Sequence, residues 1–286
     1  MILVLIFIIG LIFGSFLNVV IYRLKNDLPI SGRSFCPRCR AQLKWSDLIP
    51  VFSFLWLRGR CRYCHKKISW QYPIVEILSG FIWVGVFYKV FGFNPLLFPP
   101  LLIRGGLGGL DFIYYIFILS ALLVIAVYDF KWKIIPDKIV YPAIAVALVF
   151  NLFNALTPPD LPLSGEEIFS PLDKGGLGGV LLTASIAFLF FFLIYFFSKG
   201  KAMGLGDAKL AFLIGLFLSP LLAITTFTLS FVIGAVFGII LIVLGKIFPR
   251  YGKWKMKSQI AFGPFLVLGA FLAFFFSDFI SKFLYF

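Results

Sequence analysis

The chain is organised as long apolar runs separated by short polar breaks. The runs lie near residues 2–22, 73–92, 111–129, 139–155, 180–198, 208–218, 221–245 and 260–280. Most of them are long enough for an α-helix to cross a hydrocarbon core of about 30 Å. The pattern predicts an all-α polytopic membrane protein with about eight transmembrane helices. Because only Ser219-Pro220 separates the short sixth run from the seventh, a single broken helix there, and seven spans in total, is the alternative.

The first apolar run, Met1 to Tyr22, also has the hydrophobicity of a secretory signal peptide. It carries neither a basic start nor a small-residue cleavage site, and its length suits a full membrane span. We expect residues 1–22 to be a retained first transmembrane helix.

Composition and charge support the membrane assignment and orient it. Apolar residues make up 61% of the chain and charged residues 13%, against an apolar share of about 45–50% in soluble domains. The net charge of +14 comes mostly from alternate loops, at 23–72, 130–138, 199–209 and 246–258, which hold 22 of the 26 Lys and Arg residues. The positive-inside rule makes these four loops cytoplasmic and places both termini outside. We therefore attribute the net positive charge to the cytoplasmic loops and to their contact with anionic membrane lipids. We expect no nucleic acid partner.

A short glycine-rich repeat marks the two long outer loops. Gly-Gly-Leu-Gly-Gly occurs at 105–109 and again at 175–179. A ligand-binding loop is one interpretation, and a low-complexity insertion tolerated in a surface loop is the simpler one. We assign the repeat no chemistry.

All four cysteines lie in the first basic loop. They form two Cys-x-x-Cys motifs, CPRC at 36–39 and CRYC at 61–64, separated by 21 residues. Two such motifs supply the four thiolates of a closed tetrahedral zinc site, and disulfides are rare in the cytoplasm. The spacing predicts structural zinc on Cys36, Cys39, Cys61 and Cys64, with a pair of redox-active motifs as the rival interpretation. His65 is a spare ligand or, more simply, a solvated loop residue.

Three carboxylates lie in or beside the predicted spans, where ionisable groups are costly and are therefore functional candidates. Asp129 ends the third span, Asp207 begins the sixth, and both fall on the cytoplasmic side, whereas Glu76 lies at the start of the second. Two neighbouring carboxyls do not readily both ionise, so one can activate water while the other polarises an amide carbonyl. The pair Asp129 and Asp207 is thus a candidate for aspartic peptidase chemistry. The simpler alternative is a pair of solvated residues at span ends.

Several motifs, in this order, resemble the type IV prepilin leader peptidases, the GxGD-type intramembrane aspartic peptidases that often also N-methylate their product. The motifs are GSFLNVVIYRL at 14–24, the two cysteine motifs, WSDLIPVFSFLWLRGRCRYC at 45–64, ISWQYPIVE at 68–76, DFKWKIIPD at 129–137, MGLGDAKL at 203–210 and IAFGPFL at 260–266. The resemblance covers nearly the whole chain. It departs from the family at Ala261, where the family usually has proline.

The resemblance implies a division of the chain and an activity. Residues 23–72 would be a cytoplasmic zinc-binding segment and residues 73–286 a peptidase domain, whose catalytic core is 111–286. The enzyme would lie in the bacterial cytoplasmic membrane and cut the basic leader of prepilins or pseudopilins on the cytoplasmic side, with Asp129 and Asp207 as catalytic residues. It would then methylate the new N-terminus using S-adenosylmethionine. Asn18, Arg23 and Glu76 are candidate residues for binding this cofactor.

Two alternatives remain open from the sequence. In the first, the chain is a peptidase without methyltransferase activity, and the cysteine segment is purely structural. In the second, it is a proton-coupled transporter in which Glu76, Asp129 and Asp207 relay protons. A transporter would place its ionisable groups near the bilayer midplane. The position of two of the three at one edge favours the peptidase.

Overall fold

The computed structural model describes residues 1–92, 107–156, 176–247 and 261–284. The regular elements among these residues are α-helices and one 3-10 turn, Trp45–Asp47, and the only β-pairing among them is two isolated antiparallel bridges. The helices, in chain order, are α1 Ile2–Lys25, α2 Phe52–Trp56, α3 Gln71–Phe91, α4 Leu107–Trp132, α5 Asp137–Leu156, α6 Gly176–Ser198, α7 Leu205–Phe217, α8 Pro220–Ile247, α9 Gly263–Phe275 and α10 Ser277–Leu284.

A helix lies at each of the eight predicted spans, so the prediction of an all-α polytopic membrane protein is confirmed. Among the described residues, six helices are long and apolar enough to cross a membrane, namely α1, α3, α4, α5, α6 and α8. The remaining two, α7 and α9, have 13 residues each. A helix of that length extends about 20 Å, less than the hydrocarbon thickness.

The sixth and seventh apolar runs are separate helices. The α7 helix ends at Phe217, and Leu218 is extended, with φ −109° and ψ 152°. The next helix begins at Pro220, whose fixed φ suits a first helical position. This break supports eight apolar helices over seven.

The helices extend beyond several predicted boundaries. The α4 helix continues to Trp132, so Asp129 lies within its last turn and not at its end. The predicted outer loops shorten correspondingly, because Leu107–Gly109 and Gly176–Gly179 of the glycine-rich repeats form the first turns of α4 and α6. The other residues of the repeats, and nearly all of the basic loop 246–258, lie outside the described residues.

The chain divides into two compact units, Met1–Val124 and Ile125–Phe286. In the first unit, α1 and α3 pack along their length because glycine removes side chains where their backbones meet. A Cβ on Gly10 would lie 2.8 Å from the Gly80 Cα, and a Cβ on Gly14 would lie 2.7 Å from the Glu76 Cα. Small residues permit this close approach of membrane helices. The predicted boundaries at residues 22 and 72 stay predictions.

The second unit is built around the short helix α7, which contacts α5, α6, α8 and α9. Glycine again sets a close approach, because a Cβ on Gly215 would lie 2.6 Å from the Ala184 Cα. Phenylalanine rings fill the remaining space, with Phe217 stacked on Phe274 at 5.3 Å between ring centroids. Every residue from Leu213 to Leu218 is buried, so the apolar end of α7 is enclosed by protein rather than lipid.

Candidate functional site

Asp129 lies in the last turn of α4, in the second compact unit. It is only 5% exposed, and its Oδ2 accepts a hydrogen bond of 3.1 Å from the backbone N–H of Gly263. Gly263 is the first residue of α9, so an unpaired N–H of that helix start supplies the bond. The site tolerates no side chain there, because a Cβ on Gly263 would lie 2.6 Å from the same oxygen.

Asp207 is the third residue of α7 and is 8% exposed. Its Oδ2 accepts a hydrogen bond of 3.1 Å from the backbone N–H of Gly204, the residue that caps the helix. A carboxylate in the first turn of a helix satisfies an otherwise unpaired amide and interacts favourably with the helix dipole. The Gly-x-Gly-Asp sequence therefore holds Asp207 by local geometry.

The two aspartates interact electrostatically although 78 positions separate them in sequence. In each, one oxygen is held by a backbone amide, and within the described residues the other oxygen, Oδ1, accepts no hydrogen bond. Two buried carboxyls that share one site can divide the roles of proton donor and proton acceptor. The arrangement can therefore activate a water molecule and protonate a leaving group without a metal ion.

Neighbouring residues position the Gly-x-Gly-Asp turn. A Cβ on Gly206 would lie 2.9 Å from the Ile135 Cβ, so only glycine fits between this turn and the segment after α4. Asp137 begins α5 and forms an ion pair of 2.7 Å with Lys209. More than half of the Asp137 side chain is exposed, as expected for a boundary residue.

The sequence does not predict the role of Gly263, which is to donate a backbone hydrogen bond to Asp129. Its motif, IAFGPFL, resembles the last-span motif of the family and by itself assigns Gly263 no role. A glycine offers no functional group in the sequence, and the amide that contacts Asp129 becomes visible only when α9 is placed beside α4.

The four cysteines come together in the first compact unit. Their sulfur atoms all lie within 4.8 Å of one another, and the Sγ atoms of Cys36 and Cys64 are 4.0 Å apart. Sulfurs at about 2.3 Å from a tetrahedral zinc ion would be about 3.8 Å apart, so the cluster fits zinc closely. Burial raises the pKa of the Cys61 thiol, and metal binding would displace that proton.

The two cysteine motifs are copies of one hairpin, offset by 25 positions. In the first, the Cys36 N–H bonds to the Ala41 carbonyl and the Arg40 N–H to the Cys36 carbonyl, both at 2.9 Å. In the second, the Cys61 N–H bonds to the Lys66 carbonyl and the His65 N–H to the Cys61 carbonyl, at 2.9 and 3.0 Å.

His65 takes its role from this repeat. It occupies the turn position of Arg40, and both residues have positive φ, 56° and 59° respectively. Histidine is among the residues enriched in that conformation. Among the described residues, the cluster of possible metal ligands consists of the four cysteines and does not include His65. A turn residue is therefore the simpler assignment for His65.

Asn18 and Arg23, two of the candidate cofactor residues, are buried in the first unit and bonded to the chain itself. Asn18 donates to the Tyr72 carbonyl at 3.1 Å and accepts from the Gln71 side chain at 3.1 Å. The Arg23 guanidinium donates to the carbonyls of successive residues 29–33. Their polar groups connect α1 to α3 and to the start of the cysteine segment, respectively.

Glu76, the third candidate, holds a strained turn. Its Oε2 accepts a hydrogen bond of 2.7 Å from the backbone N–H of Val51. Val51 precedes α2 and has φ 59°, which is a rare conformation for a β-branched residue and costs about 1–3 kcal/mol. A buried carboxylate in α3 thus fixes the backbone of the cysteine segment.

Comparison with known proteins assigns the chain to a family. Residues 8–90 match the bacterial peptidase A24 N-terminal domain, and residues 116–239 match the type IV leader peptidase family. A prepilin leader peptidase/N-methyltransferase of Bacillus subtilis strain 168 is 31% identical over 97% of this chain and 95% of its own length.

Two further relatives carry the same name. The protein from Aeromonas salmonicida strain A449 is 30% identical, over 97% of this chain and 92% of its own length. The protein from Klebsiella pneumoniae is 33% identical, over 74% of this chain and 83% of its own length. No solved structure matches the chain significantly. The chain belongs to the type IV leader peptidase family, which confirms the family and the peptidase class predicted from its motifs.

Metal analysis of the purified protein tests the cysteine cluster. We expect about one zinc per chain under reducing conditions, and loss of that zinc in Cys36→Ser and in Cys61→Ser, because a four-sulfur shell needs all its thiolates. His65→Asn is the matched control, since asparagine also adopts positive φ. Zinc retained in both cysteine variants, or lost in the His65 variant, would contradict the ligand set.

Paired substitutions at Glu76 test its bond to Val51. Glu76→Ala should expose the turn and increase the rate of tryptic cleavage after Arg58 and Arg60 by about tenfold or more, because the lost bond is worth about 1.5–3 kcal/mol. Glu76→Gln keeps a carbonyl acceptor and should resemble the wild type. If the glutamine variant is cleaved as fast as the alanine variant, the carboxylate charge and not the hydrogen bond holds the turn.

Proposed function

We propose that the chain cleaves the leader peptide of prepilins or pseudopilins by a two-aspartate mechanism, with Asp129 and Asp207 as catalytic residues. The observation that carries the proposal is that two buried carboxyls interact in one site and each is bonded to a backbone amide through only one oxygen. The names of the relatives supply the substrate class.

In the proposed reaction, the ionised carboxylate of the pair removes a proton from water as the water attacks the scissile carbonyl. The protonated carboxyl polarises that carbonyl and then supplies the proton that the leaving amine needs. The Gly263 and Gly204 amides hold Oδ2 of each aspartate, and in the proposed reaction the two Oδ1 atoms act on water and substrate. No metal ion takes part.

The cysteine cluster supports a structural zinc ion held by Cys36, Cys39, Cys61 and Cys64. A closed shell of four thiolates leaves no position for water, so zinc would stabilise residues 23–72 without joining the hydrolysis.

Methyl transfer to the new N-terminus from S-adenosylmethionine is the second proposed activity, and the relatives' names support it. The polar groups of Asn18, Arg23 and Glu76 do not fit a role in binding this cofactor, because they are already bonded within the chain. The described residues thus do not present these three side chains as an open binding site.

The basic loops support an orientation in which the site faces the cytoplasm of a bacterium and the helices lie in its cytoplasmic membrane. Residues 111–286 would carry the peptidase core. Position and family together disfavour a proton-coupled transporter, because Asp129 and Asp207 lie in terminal turns of their helices rather than at mid-helix.

Conservative substitution of each aspartate tests the peptidase mechanism. Asp129→Asn and Asp207→Asn should each reduce leader cleavage by at least about a thousandfold, because an amide neither accepts nor donates the required proton. Cleavage of a coexpressed prepilin, followed by gel mobility, measures the effect. Asp137→Asn is the control, since it removes a nearby but exposed carboxylate and should retain most activity.

Two readouts separate the outcomes of that experiment. Both aspartate variants should keep their zinc and should methylate a substrate supplied already cut, which shows that they are inserted and folded. Full cleavage by either variant would refute its catalytic role. If no methyl label is transferred by any form of the protein, the chain is a peptidase only.

Gly263→Ala tests the positioning of Asp129 separately from its chemistry. The added methyl keeps the amide donor but would approach the Asp129 Oδ2 to 2.6 Å, so the carboxyl must move. A displacement approaching 1 Å can reduce kcat about a hundredfold. Gly234→Ala is the control, because its Cβ would meet ring atoms at an ordinary 3.6 Å. Equal cleavage rates for the two variants would contradict the positioning role.

A further inference from the structure

The segment between α1 and α3 exposes large apolar side chains that its own fold does not cover. We call them the aromatic patch, which consists of Trp45, Phe52, Leu55, Trp56 and Trp70. The three tryptophans are 80%, 77% and 68% exposed. Soluble surfaces rarely display such a group of large aromatic residues, so the patch indicates an apolar or interfacial partner.

Helical spacing and ring contacts order this patch. Phe52, Leu55 and Trp56 are related by three and four residues and share one face of α2, where Phe52 and Trp56 stack at 6.4 Å. The turn that carries Trp45 contacts the same helix. Trp70 packs edge-on against the buried ring of Phe54 at 5.0 Å. The part of the patch on α2 is therefore preformed, and Trp70 is held separately through its contact with Phe54.

The charge around the patch identifies the partner as anionic. Residues 23–72 contain 11 Lys and Arg against two acids, Asp27 and Asp47. Asp47 is itself neutralised by Arg62 at 2.7 Å. Lys44, Arg58 and Lys67 are exposed and lie within three residues of the patch in sequence. Exposed tryptophan beside exposed basic residues is the combination found where proteins meet lipid head groups.

The covalent connections hold this segment close to a bilayer. It begins where α1 ends, at Lys25, and it ends at Trp70, which is the N-cap residue of α3. Both helices are long and apolar enough to cross a membrane. Trp70 thus occupies the end of a spanning helix, the depth at which tryptophan is enriched in membrane proteins.

We propose that the aromatic patch inserts into the head-group region of an anionic bilayer and holds the cysteine segment on the membrane surface. The tryptophan side chains lie at the boundary between the lipid head groups and the acyl chains, and the neighbouring Lys and Arg residues bind lipid phosphates. Each such basic residue contributes about 1 kcal/mol near an anionic surface. This docking concerns the lipid and not the peptidase reaction, so it holds or fails independently of the proposed function.

Site-specific photocrosslinking tests the docking in the full-length protein. The photoreactive residue p-benzoyl-phenylalanine replaces Trp56 in one variant and Arg38, an exposed residue between the first two cysteines, in the control. Each variant is reconstituted into vesicles of phosphatidylglycerol and phosphatidylcholine that contain radiolabelled phosphatidylglycerol, and is then irradiated. Zinc content confirms that both variants are folded.

We expect lipid adducts at position 56 to exceed those at position 38 on the order of fivefold, and to decrease when Lys44 and Arg58 are both replaced by glutamate. Equal lipid labelling at the two positions would overturn the proposal. So would labelling of position 56 in a crosslinked dimer, which would identify a second copy of the chain as the occupant. Repeating the irradiation in the presence of a prepilin would overturn it if the adduct shifted from lipid to that protein.

Discussion

Backbone groups hold the buried charges of this protein, and much of the structure follows from how those groups are positioned. Asp129, Asp207 and Glu76 each accept a bond from a main-chain amide, and the Arg23 guanidinium donates to consecutive main-chain carbonyls. Buried charged groups need hydrogen-bond partners, and the chain supplies these partners from its own backbone. Backbone partners demand precise placement of helix ends and turns. The observed ion pairs of Asp47 and Asp137, in contrast, are formed by Arg62 and Lys209 and include exposed side chains.

This constraint explains where glycine is needed. At Gly263 the backbone amide and the Asp129 carboxylate meet where no side chain fits, because a Cβ would lie 2.6 Å from the carboxylate oxygen. The same need for close approach recurs at Gly14 against Glu76 and at Gly206 against Ile135. Each of these glycines lies beside a polar residue that we assign to the site or to its support. Local packing and the chemistry of the carboxylates are therefore set by the same positions.

Much of the fold could be read from the sequence, because apolar runs and charged loops report the membrane directly. The two aspartates could be singled out for the same reason, since an acid beside an apolar run is conspicuous. The hydrogen bond from Gly263 to Asp129 could not be predicted, because Gly263 donates it through its main chain. Nor could the contacts of Glu76, since its partner Val51 presents only an amide, and its unusual φ depends on the fold around it. The sequence does not reveal that the two hairpins have the same backbone geometry, because Arg40 and His65 occupy equivalent turn positions but are different types of residue.

The tight pairing of α1 with α3 has a consequence for how the cysteine segment folds. Once those two helices are inserted and packed, the chain between them is a closed loop whose ends are already fixed. The entropy of bringing its ends together has then been lost before the hairpins meet. Bringing the two halves of the cysteine cluster together would therefore require correspondingly less of the free energy that a bound metal ion would provide. Membrane insertion thus acts as a preorganising step for a site that lies outside the spanning helices.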